Sequence, residues 1–339
     1  MNEQLTSTKL TAADFATDQE VRWCPGCGDY AILKAVRTVL AEVGARRENT
    51  VFVSGIGCSS RFPYYIDTYG FHTIHGRAPA VATGMLLANP DLDVWIVTGD
   101  GDGLSIGGNH LLHILRRNLN CQILLFNNET YGLTKGQYSP TSHLATRSPS
   151  SPGGSIDNPV DPSSFALGCG ARFVARGVDT QVKQLTEVLK AAYHHKGAAF
   201  VEIFQNCIVF NEDVFDGFTA KANLAEHQLQ VEPGKPLVYG TDGSRGLVFD
   251  PAALGLRAAE LSEDSANDVL VHDPGNYNLA TALARMTNPE FPMATGVLYD
   301  DPGPVYTVQG AQSDAAARTD RTLKDAMRSG FSWKVDRKS

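Results

Sequence analysis

The sequence VWIVTGDGDG at residues 94–103 decides the fold, because an apolar strand passes there directly into a glycine-rich polar turn. Residues 94–98 form a β-branched and aromatic run, which predicts a buried strand. The loop over residues 99–103 leads into a helix predicted at 106–117, and the next apolar strand follows at 122–126. A strand, a glycine-rich loop and a helix in this order are typical of a parallel sheet that binds its ligand at the carboxyl ends of the strands.

The same alternation extends along the chain on both sides of this stretch. Further strands are predicted at residues 51–54, 172–175 and 199–204, and further helices at residues 29–43, 78–88 and 182–194. We therefore expect an α/β protein with a doubly wound, mostly parallel sheet over residues 21–215. Residues 1–20 are predicted to form an N-terminal arm. Residues 216–339, where the periodicity weakens, are predicted to form an irregular C-terminal extension.

The composition is typical of a soluble enzyme. Of the 339 residues, 42% are hydrophobic and 19% are charged, which is enough for a sizeable core under an ordinary polar surface. The net charge of −8 does not favour nucleic acid or an anionic membrane surface as a partner. The apolar runs are too short to span a bilayer, and the polar N-terminus is not a secretory leader. We therefore expect a cytoplasmic protein.

Two polar motifs follow neighbouring predicted strands. Asp100 lies in the glycine-rich loop, and Asn127 and Asn128 follow the next strand, so that Asn128 comes 28 residues after Asp100. Because the carboxyl ends of parallel strands meet at one edge of a sheet, a carboxylate and an amide oxygen can together hold Mg²⁺ on a diphosphate group. The alternative is that Asp100 caps a helix and the two asparagines form a turn.

Four of the six cysteines suggest metal chemistry. The Cys-Pro-Gly-Cys segment from Cys24 to Cys27 alone fits a zinc knuckle or a thioredoxin-like redox pair. Zinc would usually need a second close pair, which the sequence lacks, and a redox pair would leave Cys58 and Cys207 without a role. These two cysteines directly follow predicted strands, and four thiolates from distant segments suit a [4Fe–4S] cluster.

Cysteine has a second common role as a buried small apolar residue, and this alternative stays open for Cys58 and Cys207. Cys121 begins an apolar strand and Cys169 lies in a glycine-flanked turn, so we interpret both as structural.

The motifs together resemble a known family. Gly-Asp-Gly followed at this distance by Asn-Asn is similar to the signature of thiamine-diphosphate enzymes. The longer pattern over residues 99–103, 106–110, 126–128 and 131–137 resembles the β subunit of 2-oxoacid:ferredoxin oxidoreductases. The resemblance covers about residues 20–215 and weakens beyond them. It implies an α/β fold of the thiamine-diphosphate-binding type.

The resemblance also implies which residues bind the cofactors. It assigns the [4Fe–4S] cluster to Cys24, Cys27, Cys58 and Cys207, and Mg²⁺ to Asp100, Asn128 and the carbonyl of Thr130. The implied contacts to thiamine diphosphate are Ile56, Gly57, Cys58, Ser59, His75, Gly101, Asp102, Gly132 and Leu133. For His75 the alternative is an ordinary histidine at the start of a helix.

The activity implied by the resemblance is the reversible, coenzyme A-dependent oxidative decarboxylation of a 2-oxoacid, with electrons passing through the cluster to ferredoxin. The sequence offers no credible glutamate for the aminopyrimidine ring of thiamine, and in the family the α subunit supplies it. We therefore expect half of an active site in an αβ pair, doubled to (αβ)₂, in which the α subunit also contributes contacts to coenzyme A. The alternatives are a thiamine-dependent decarboxylase or synthase without redox chemistry, and an iron–sulfur or zinc scaffold protein.

Two cations indicate which 2-oxoacid is used. Arg61 follows the Cys58 loop, and Lys135 lies in the segment 131–137, so both are expected to face the thiazolium. The distal carboxylate of 2-oxoglutarate needs a cation to replace its water, whereas pyruvate presents only a methyl group there. Similarity to family members that act on 2-oxoglutarate points the same way. The alternatives are pyruvate or another 2-oxoacid as substrate, with Arg61 paired to an acid such as Asp67 or to the partner subunit.

Overall fold

The computed structural model describes residues 10–262, 266–317, 322–331, 333 and 335. The helices are α1 (Asp29–Glu42), α2 (Ala78–Ala88), α3 (Asp100–Leu104), α4 (Gly108–Arg117), α5 (Pro162–Gly168), α6 (Val182–His194), α7 (Asp216–Thr219), α8 (Leu224–His227), α9 (Tyr277–Ala284), α10 (Tyr306–Ala317) and α11 (Leu323–Arg328). The strands are β1 (Thr50–Ser54), β2 (Tyr69–His72), β3 (Asp93–Gly99), β4 (Cys121–Asn127), β5 (Thr130–Tyr131), β6 (Gln137–Tyr138), β7 (Phe173–Val178), β8 (Ala198–Phe204), β9 (Gln228–Val231), β10 (Val238–Tyr239), β11 (Arg245–Asp250), β12 (Gly255–Glu260) and β13 (Met293–Asp300). Short 3₁₀ turns lie at Ala12–Phe15, Ser59–Tyr64, Thr241–Gly243 and Ala266–Asp268.

Eight strands form the main sheet, in the order β2-β1-β3-β4-β8-β7-β13-β9. All neighbouring strands are parallel except β13 and β7, which are antiparallel. The chain proceeds to one side from β1 to β2 and to the other side from β3 to β4. The point where the strand order reverses therefore lies between the carboxyl ends of β1 and β3, where such sheets bind ligands. The predicted α/β, doubly wound, mostly parallel fold is confirmed.

The two faces of the sheet are both buried, which explains the continuous apolar strands. Successive residues of β3 alternate between two core clusters: Val94 and Ile96 pack with α2 and α4, and Trp95 and Val97 pack with α1 and α6. These four helices bury their apolar side chains on the face of the sheet that they cover.

The glycine-rich stretch after β3 differs from the prediction in one respect. Residues 100–104 form the short helix α3 rather than a loop, and Gly99 is its N-cap. Asp100 and Asp102 therefore project from the first helical turn after the strand, and both are buried.

The predicted arm and extension have a role in the domain itself. Residues 1–9 of the arm lie outside the described residues, but Phe15 is fully buried in the core and Ala16 bridges to Ile66. Beyond residue 215, β9 and β13 join the main sheet, and β10, β11 and β12 form a separate antiparallel sheet. The sequence shows these strands poorly because β9 has only four residues, two of them glutamines.

The domain boundaries at residues 20 and 215 remain a prediction. Within the described ranges, the helices do not reach the length and apolar character needed to cross a membrane.

Candidate active site

The carboxyl ends of β1, β3, β4 and β8 meet at one edge of the sheet, and the segments that follow them enclose a cavity, which we call the central cavity. It is lined by Ile56, Gly57, Cys58, Ser59, His75, Gly99, Asp100, Gly101, Asp102, Phe126, Asn128, Thr130, Tyr131, Gly132, Leu133, Thr134 and Gln205. This set includes every residue predicted to contact thiamine diphosphate or Mg²⁺. The structure therefore brings the predicted contacts from four separate segments to one place.

Asp102 ties together the segments on one side of the central cavity. Its Oδ1 accepts hydrogen bonds from the backbone N–H groups of Ile56 at 3.1 Å and Gly76 at 2.8 Å, and it lies 2.9 Å from Nδ1 of His75. Its Oδ2 accepts a hydrogen bond from Oγ1 of Thr98 at 2.7 Å. The carboxylate is thus fully engaged within the protein. Its contribution to a bound ligand is to position His75 and the 55–57 turn.

Close packing explains one of the glycines beside this carboxylate. A Cβ at Gly55 would lie 1.8 Å from Oδ2 of Asp102, so any larger residue would displace the carboxylate.

Asp100 lies in a pocket of hydroxyl groups. Its Oδ2 accepts hydrogen bonds from Oγ of Ser139 at 2.5 Å and Oγ1 of Thr141 at 2.6 Å, and the residue is 2% exposed. Burial raises the pKa of Asp100, and the two hydroxyl donors act against that rise. The ion pairs of the described residues include none between Asp100 and a lysine or arginine.

A second acid adds negative charge beside Asp100. Burial, together with the charges of Asp100 and Glu202, raises the pKa of Glu129 to about 8. Two buried carboxyl groups, of which Asp100 raises the pKa of Glu129, favour a bound cation that would offset their charges. The donor set therefore fits a hard divalent ion such as Mg²⁺.

The other two predicted magnesium ligands lie on the next loop. Oδ1 of Asn128 accepts a hydrogen bond from the backbone N–H of Thr130 at 3.2 Å, and its Nδ2 donates to Oε1 of Gln205 at 2.8 Å. The oxygen of the Asn128 amide thus lies toward the backbone of Thr130, whose carbonyl oxygen accepts a hydrogen bond from the N–H of Gly132 at 3.1 Å. Asn127 instead donates from Nδ2 to Glu202 at 2.9 Å and supports the loop from within the sheet.

The four predicted cluster ligands line a second cavity, which we call the cysteine cavity. Its walls are Arg22, Trp23, Cys24, Cys27, Cys58, Arg61, Asn128, Gly132, Leu133, Lys135, Gln205, Cys207, Ile208, Val209 and Phe210. Cys121 is buried in the core, and Cys169 packs at its edge beside other apolar residues. The structure thus places four of the six cysteines around one cavity and the other two in or beside the core.

The surroundings of Cys58 and Cys27 in the cysteine cavity raise the pKa of both thiols. Burial, together with the charges of Asp29, Cys207 and Cys24, raises the pKa of Cys58 to about 12, and Arg61 acts against that rise. Burial, Asp29, Cys207 and Cys58 likewise raise the pKa of Cys27. A thiol in such a site ionises when a metal centre offsets its charge, so the arrangement fits a positively charged iron centre.

The spacing of these cysteines does not fit a single ion. Among the described residues, no three His, Cys, Asp or Glu side chains lie close enough together to bind one metal ion. Zinc holds its thiolates at about 2.3 Å and therefore about 4 Å from one another. In a [4Fe–4S] cluster each cysteine binds a different iron atom, so more widely separated thiolates are suitable.

The two cavities share a wall at Gly132. A Cβ there would lie 3.5 Å from Sγ of Cys58 and 3.6 Å from Sγ of Cys207, so a larger side chain would contact both sulfurs. Cys58, Asn128, Leu133 and Gln205 also line both cavities. A ligand in one cavity would therefore be next to a ligand in the other.

Arg61 and Lys135 line the cysteine cavity, and neither is among the residues that line the central cavity. Nη1 of Arg61 lies 3.5 Å from the carbonyl oxygen of Arg22. Asp67, the acid considered as its partner, is paired with Arg47 at 2.5 Å. Both cations thus border the shared wall on its cysteine side.

The sequence analysis did not identify several residues that shape the site. Ser139 and Thr141 belong to a Ser-Pro-Thr-Ser run, which reads as an ordinary loop although it holds Asp100. Gln205 and Asp179 follow strands β8 and β7 directly. Their position directly after predicted strands could have identified them as site residues, but neither residue is part of a recognisable motif.

Comparisons with known proteins agree with this site. The family described as "Thiamine pyrophosphate enzyme, C-terminal TPP binding domain" matches residues 55–203. The 2-oxoglutarate oxidoreductase subunit KorB of Mycobacterium tuberculosis is 50% identical over 333 residues, which cover 95% of this chain and 88% of that protein. The β subunit of 2-oxoacid:ferredoxin oxidoreductase 1 of Aeropyrum pernix is 46% identical over 200 residues, covering 59% of this chain and 63% of that protein.

A solved structure is similar over nearly the whole chain. The 2-oxoglutarate:ferredoxin oxidoreductase from Magnetococcus marinus, with 2-oxoglutarate, coenzyme A and succinyl-CoA bound, gives a TM-score of 0.75 at 34% identity. The match covers 95% of this chain and 97% of the matched chain, so it includes the strands beyond residue 215.

Proposed function

The chain belongs to the β subunits of the 2-oxoacid:ferredoxin oxidoreductases. From this we propose which of its residues bind each cofactor and which bind the substrate. The enzyme converts 2-oxoglutarate and coenzyme A to succinyl-CoA and CO₂. Two electrons pass to two oxidised ferredoxins and one proton is released. The observation that carries the proposal is the pair of adjoining cavities, one lined by the Gly-Asp-Gly segment and one by four cysteines.

The central cavity is the place for thiamine diphosphate. Asp100, Asn128 and the carbonyl of Thr130 would hold Mg²⁺ on its diphosphate, because they present hard oxygen atoms beside two buried acids. His75 is held through Nδ1 by Asp102, so only its Nε2 is left to contact the cofactor. Thiamine diphosphate bound there would supply carbanion chemistry toward the ketone of the 2-oxoacid, and these residues would contribute its placement and the surrounding charge.

The cysteine cavity is the place for one [4Fe–4S] cluster on Cys24, Cys27, Cys58 and Cys207. Such a cluster carries one electron at a time, which suits ferredoxin as the acceptor. Cys24 is exposed, whereas the other three are partly buried. The cluster would therefore lie between the central cavity and solvent, on the path that electrons need to take.

The partner is an α subunit that completes the active site. Among the acids that line the central cavity, Asp100 and Asp102 are both engaged by hydrogen bonds, and the described lining contains no glutamate that could contact an aminopyrimidine ring. An α subunit would supply that glutamate and contacts to coenzyme A, and we propose an (αβ)₂ assembly.

Arg61 and Lys135 are proposed to bind the distal carboxylate of 2-oxoglutarate. They border the shared wall at Gly132, and a substrate that extends past this wall from the central cavity would bring a carboxylate to them. Arginine offers a planar fork and lysine a flexible point charge, so the two can pair with one carboxylate together.

Reconstitution of the two subunits tests the proposal. The chain purified without oxygen should contain iron and show the broad visible absorption of an iron–sulfur protein. With its α subunit it should reduce ferredoxin in a reaction that requires 2-oxoglutarate, coenzyme A, thiamine diphosphate and Mg²⁺. Turnover by the isolated chain, or full activity of an iron-free complex, would contradict the proposal.

A further inference from the structure

Gln205 occupies the junction between the two cavities. It directly follows β8, is 1% exposed and lines both the central cavity and the cysteine cavity. Its backbone N–H donates to the carbonyl oxygen of Asn127 at 2.8 Å, so the strand pairing fixes where its side chain begins. A glutamine amide has a carbonyl that accepts and an NH₂ group that donates, so it can serve two different neighbours.

The carbonyl end of the side chain contacts a proposed magnesium ligand. Nδ2 of Asn128 donates to Oε1 of Gln205 at 2.8 Å. This bond determines which way the Asn128 amide faces, because its nitrogen must lie toward Gln205 and its oxygen therefore lies toward Thr130. Groups that orient a metal ligand in this way affect metal affinity although they do not touch the metal.

The amide nitrogen contacts a proposed cluster ligand. Nε2 of Gln205 donates to Sγ of Cys27 at 3.3 Å and to the carbonyl oxygen of Asn206 at 2.6 Å. A carbonyl oxygen can only accept, so the Gln205 amide cannot be turned around without placing oxygen against oxygen. The two ends of the side chain are thus fixed in their roles by their partners.

We propose that Gln205 is a positioning residue that joins the magnesium end of the active site to the iron–sulfur end. The inference rests on the proposed function, since it concerns the same two cofactors. Through Oε1 it keeps the Asn128 oxygen directed to the metal, and through Nε2 it stabilises negative charge on the Cys27 sulfur. Hydrogen bonds to cluster sulfurs help to set the reduction potential, and losing a donor favours the oxidised, less negative cluster.

Two substitutions in the αβ holoenzyme separate the two ends. Gln205→Met removes both hydrogen bonds with little change of length. Gln205→Glu keeps an oxygen that accepts the hydrogen bond from Asn128. At alkaline pH, where the carboxylate is ionised, it cannot donate a hydrogen bond to Cys27. Gln122→Met is the matched control, because Gln122 is also buried but lies at the opposite end of the sheet, near the start of β4.

The readouts are the midpoint potential of the cluster, measured by electron paramagnetic resonance during redox titration, and the Mg²⁺ dependence of thiamine diphosphate binding, measured by calorimetry. Iron and thiamine contents are determined first. The potential is then assigned to the clusters that are present, and the binding data are normalised to the amount of folded chain. Gln205→Met should lower the potential and reduce the affinity for Mg²⁺ about tenfold or more. Gln205→Glu should lower the ratio of reduced to oxidised cluster about tenfold at a given potential, a shift of about 59 mV, with nearly normal Mg²⁺ affinity.

A cluster potential that stays at the wild-type value in both variants would overturn the inference. So would a normal Mg²⁺ affinity in Gln205→Met, or an equal change in Gln122→Met, which would indicate a general loss of stability. Failure of the proposed function would look different, because the wild-type holoenzyme itself would then lack iron or thiamine.

Discussion

Nδ1 of His75 lies 2.9 Å from Oδ1 of Asp102, and the Asp102 side chain is almost fully buried whereas that of His75 is 45% exposed. The same carboxylate holds two backbone N–H groups and the hydroxyl of Thr98. The glycine-rich motif thus contains one acid that we propose as a metal ligand, Asp100, and one whose carboxylate binds groups of the protein itself, Asp102.

Asp102→Ala should therefore destabilise the fold, because four buried or partly buried donors lose their acceptor. We expect the free energy of unfolding to fall by about 3 kcal/mol or more, measured by urea denaturation of the chain. Asp102→Asn should lose less, since an amide oxygen can still accept. Asp91→Ala, at an exposed position, should stay within about 0.5 kcal/mol of wild type. A loss no larger than that of Asp91→Ala would show that the carboxylate does not hold these segments.

Asp100→Ala should act on cofactor binding. It removes a hard oxygen ligand, so the affinity for thiamine diphosphate in the presence of Mg²⁺ should fall at least about tenfold in calorimetry. The dependence on Mg²⁺ concentration should weaken at the same time. Asp91→Ala again serves as the control, and an unchanged thiamine affinity in Asp100→Ala would rule out Asp100 as a metal ligand.

Glu129 should make the stability of the metal-free chain depend on pH. Its pKa is raised from 4.5 to about 8 by burial and by the charges of Asp100 and Glu202, so the folded state keeps its proton longer than the unfolded state does. This contribution to stability is fully present below about pH 4.5 and is lost as the pH rises through 8, by on the order of 5 kcal/mol.

Glu129→Gln should flatten that decline in denaturation experiments across the same pH range. Glu212→Gln, which changes an exposed acid, should leave it as in wild type. The idea fails if both variants follow the wild-type curve.

Cys207→Ser should lose or convert the cluster. Its sulfur lies at the shared wall beside Cys58, and a serine hydroxyl is a poor ligand for iron. Iron analysis and the visible spectrum of anaerobically purified protein measure the effect. Cys169→Ser should retain its iron because Cys169 packs at the edge of the core, away from the cysteine cavity. Full iron content in Cys207→Ser would remove this residue from the set of ligands.

Arg61→Leu should impair the use of 2-oxoglutarate more than the use of smaller acids. Without the guanidinium group a distal carboxylate loses a charged partner, so KM for 2-oxoglutarate should rise about 10- to 100-fold. The values for pyruvate and 2-oxobutyrate should change little. Arg47→Leu is the control, since this arginine pairs with Asp67 away from both cavities. Equal losses for all three acids would mean that Arg61 does not recognise the substrate.

Much of the fold could be predicted because its physical causes are local. The helix at residues 78–88 has the predicted bounds, since Pro79 in its first turn and the apolar run after it are visible in the sequence. The strands at residues 93–99 and 121–127 were found because burial on both faces makes them continuously apolar. Strands β9 and β13 were missed because their place in the sheet depends on partners far away in the chain: β13 pairs with β7, and β9 pairs with β13.

The sequence by itself determined which groups are available and at which edge of the sheet they lie. Parallel strands put their carboxyl ends together, so Asp100, Asn128, Cys58 and Cys207 had to be neighbours once the alternation of strands and helices was recognised. Only the tertiary structure decided what each side chain does there. That Asp102 faces inward to four donors, and that Gln205 contacts both Asn128 and Cys27, depends on side-chain directions and distances that no spacing in the sequence encodes.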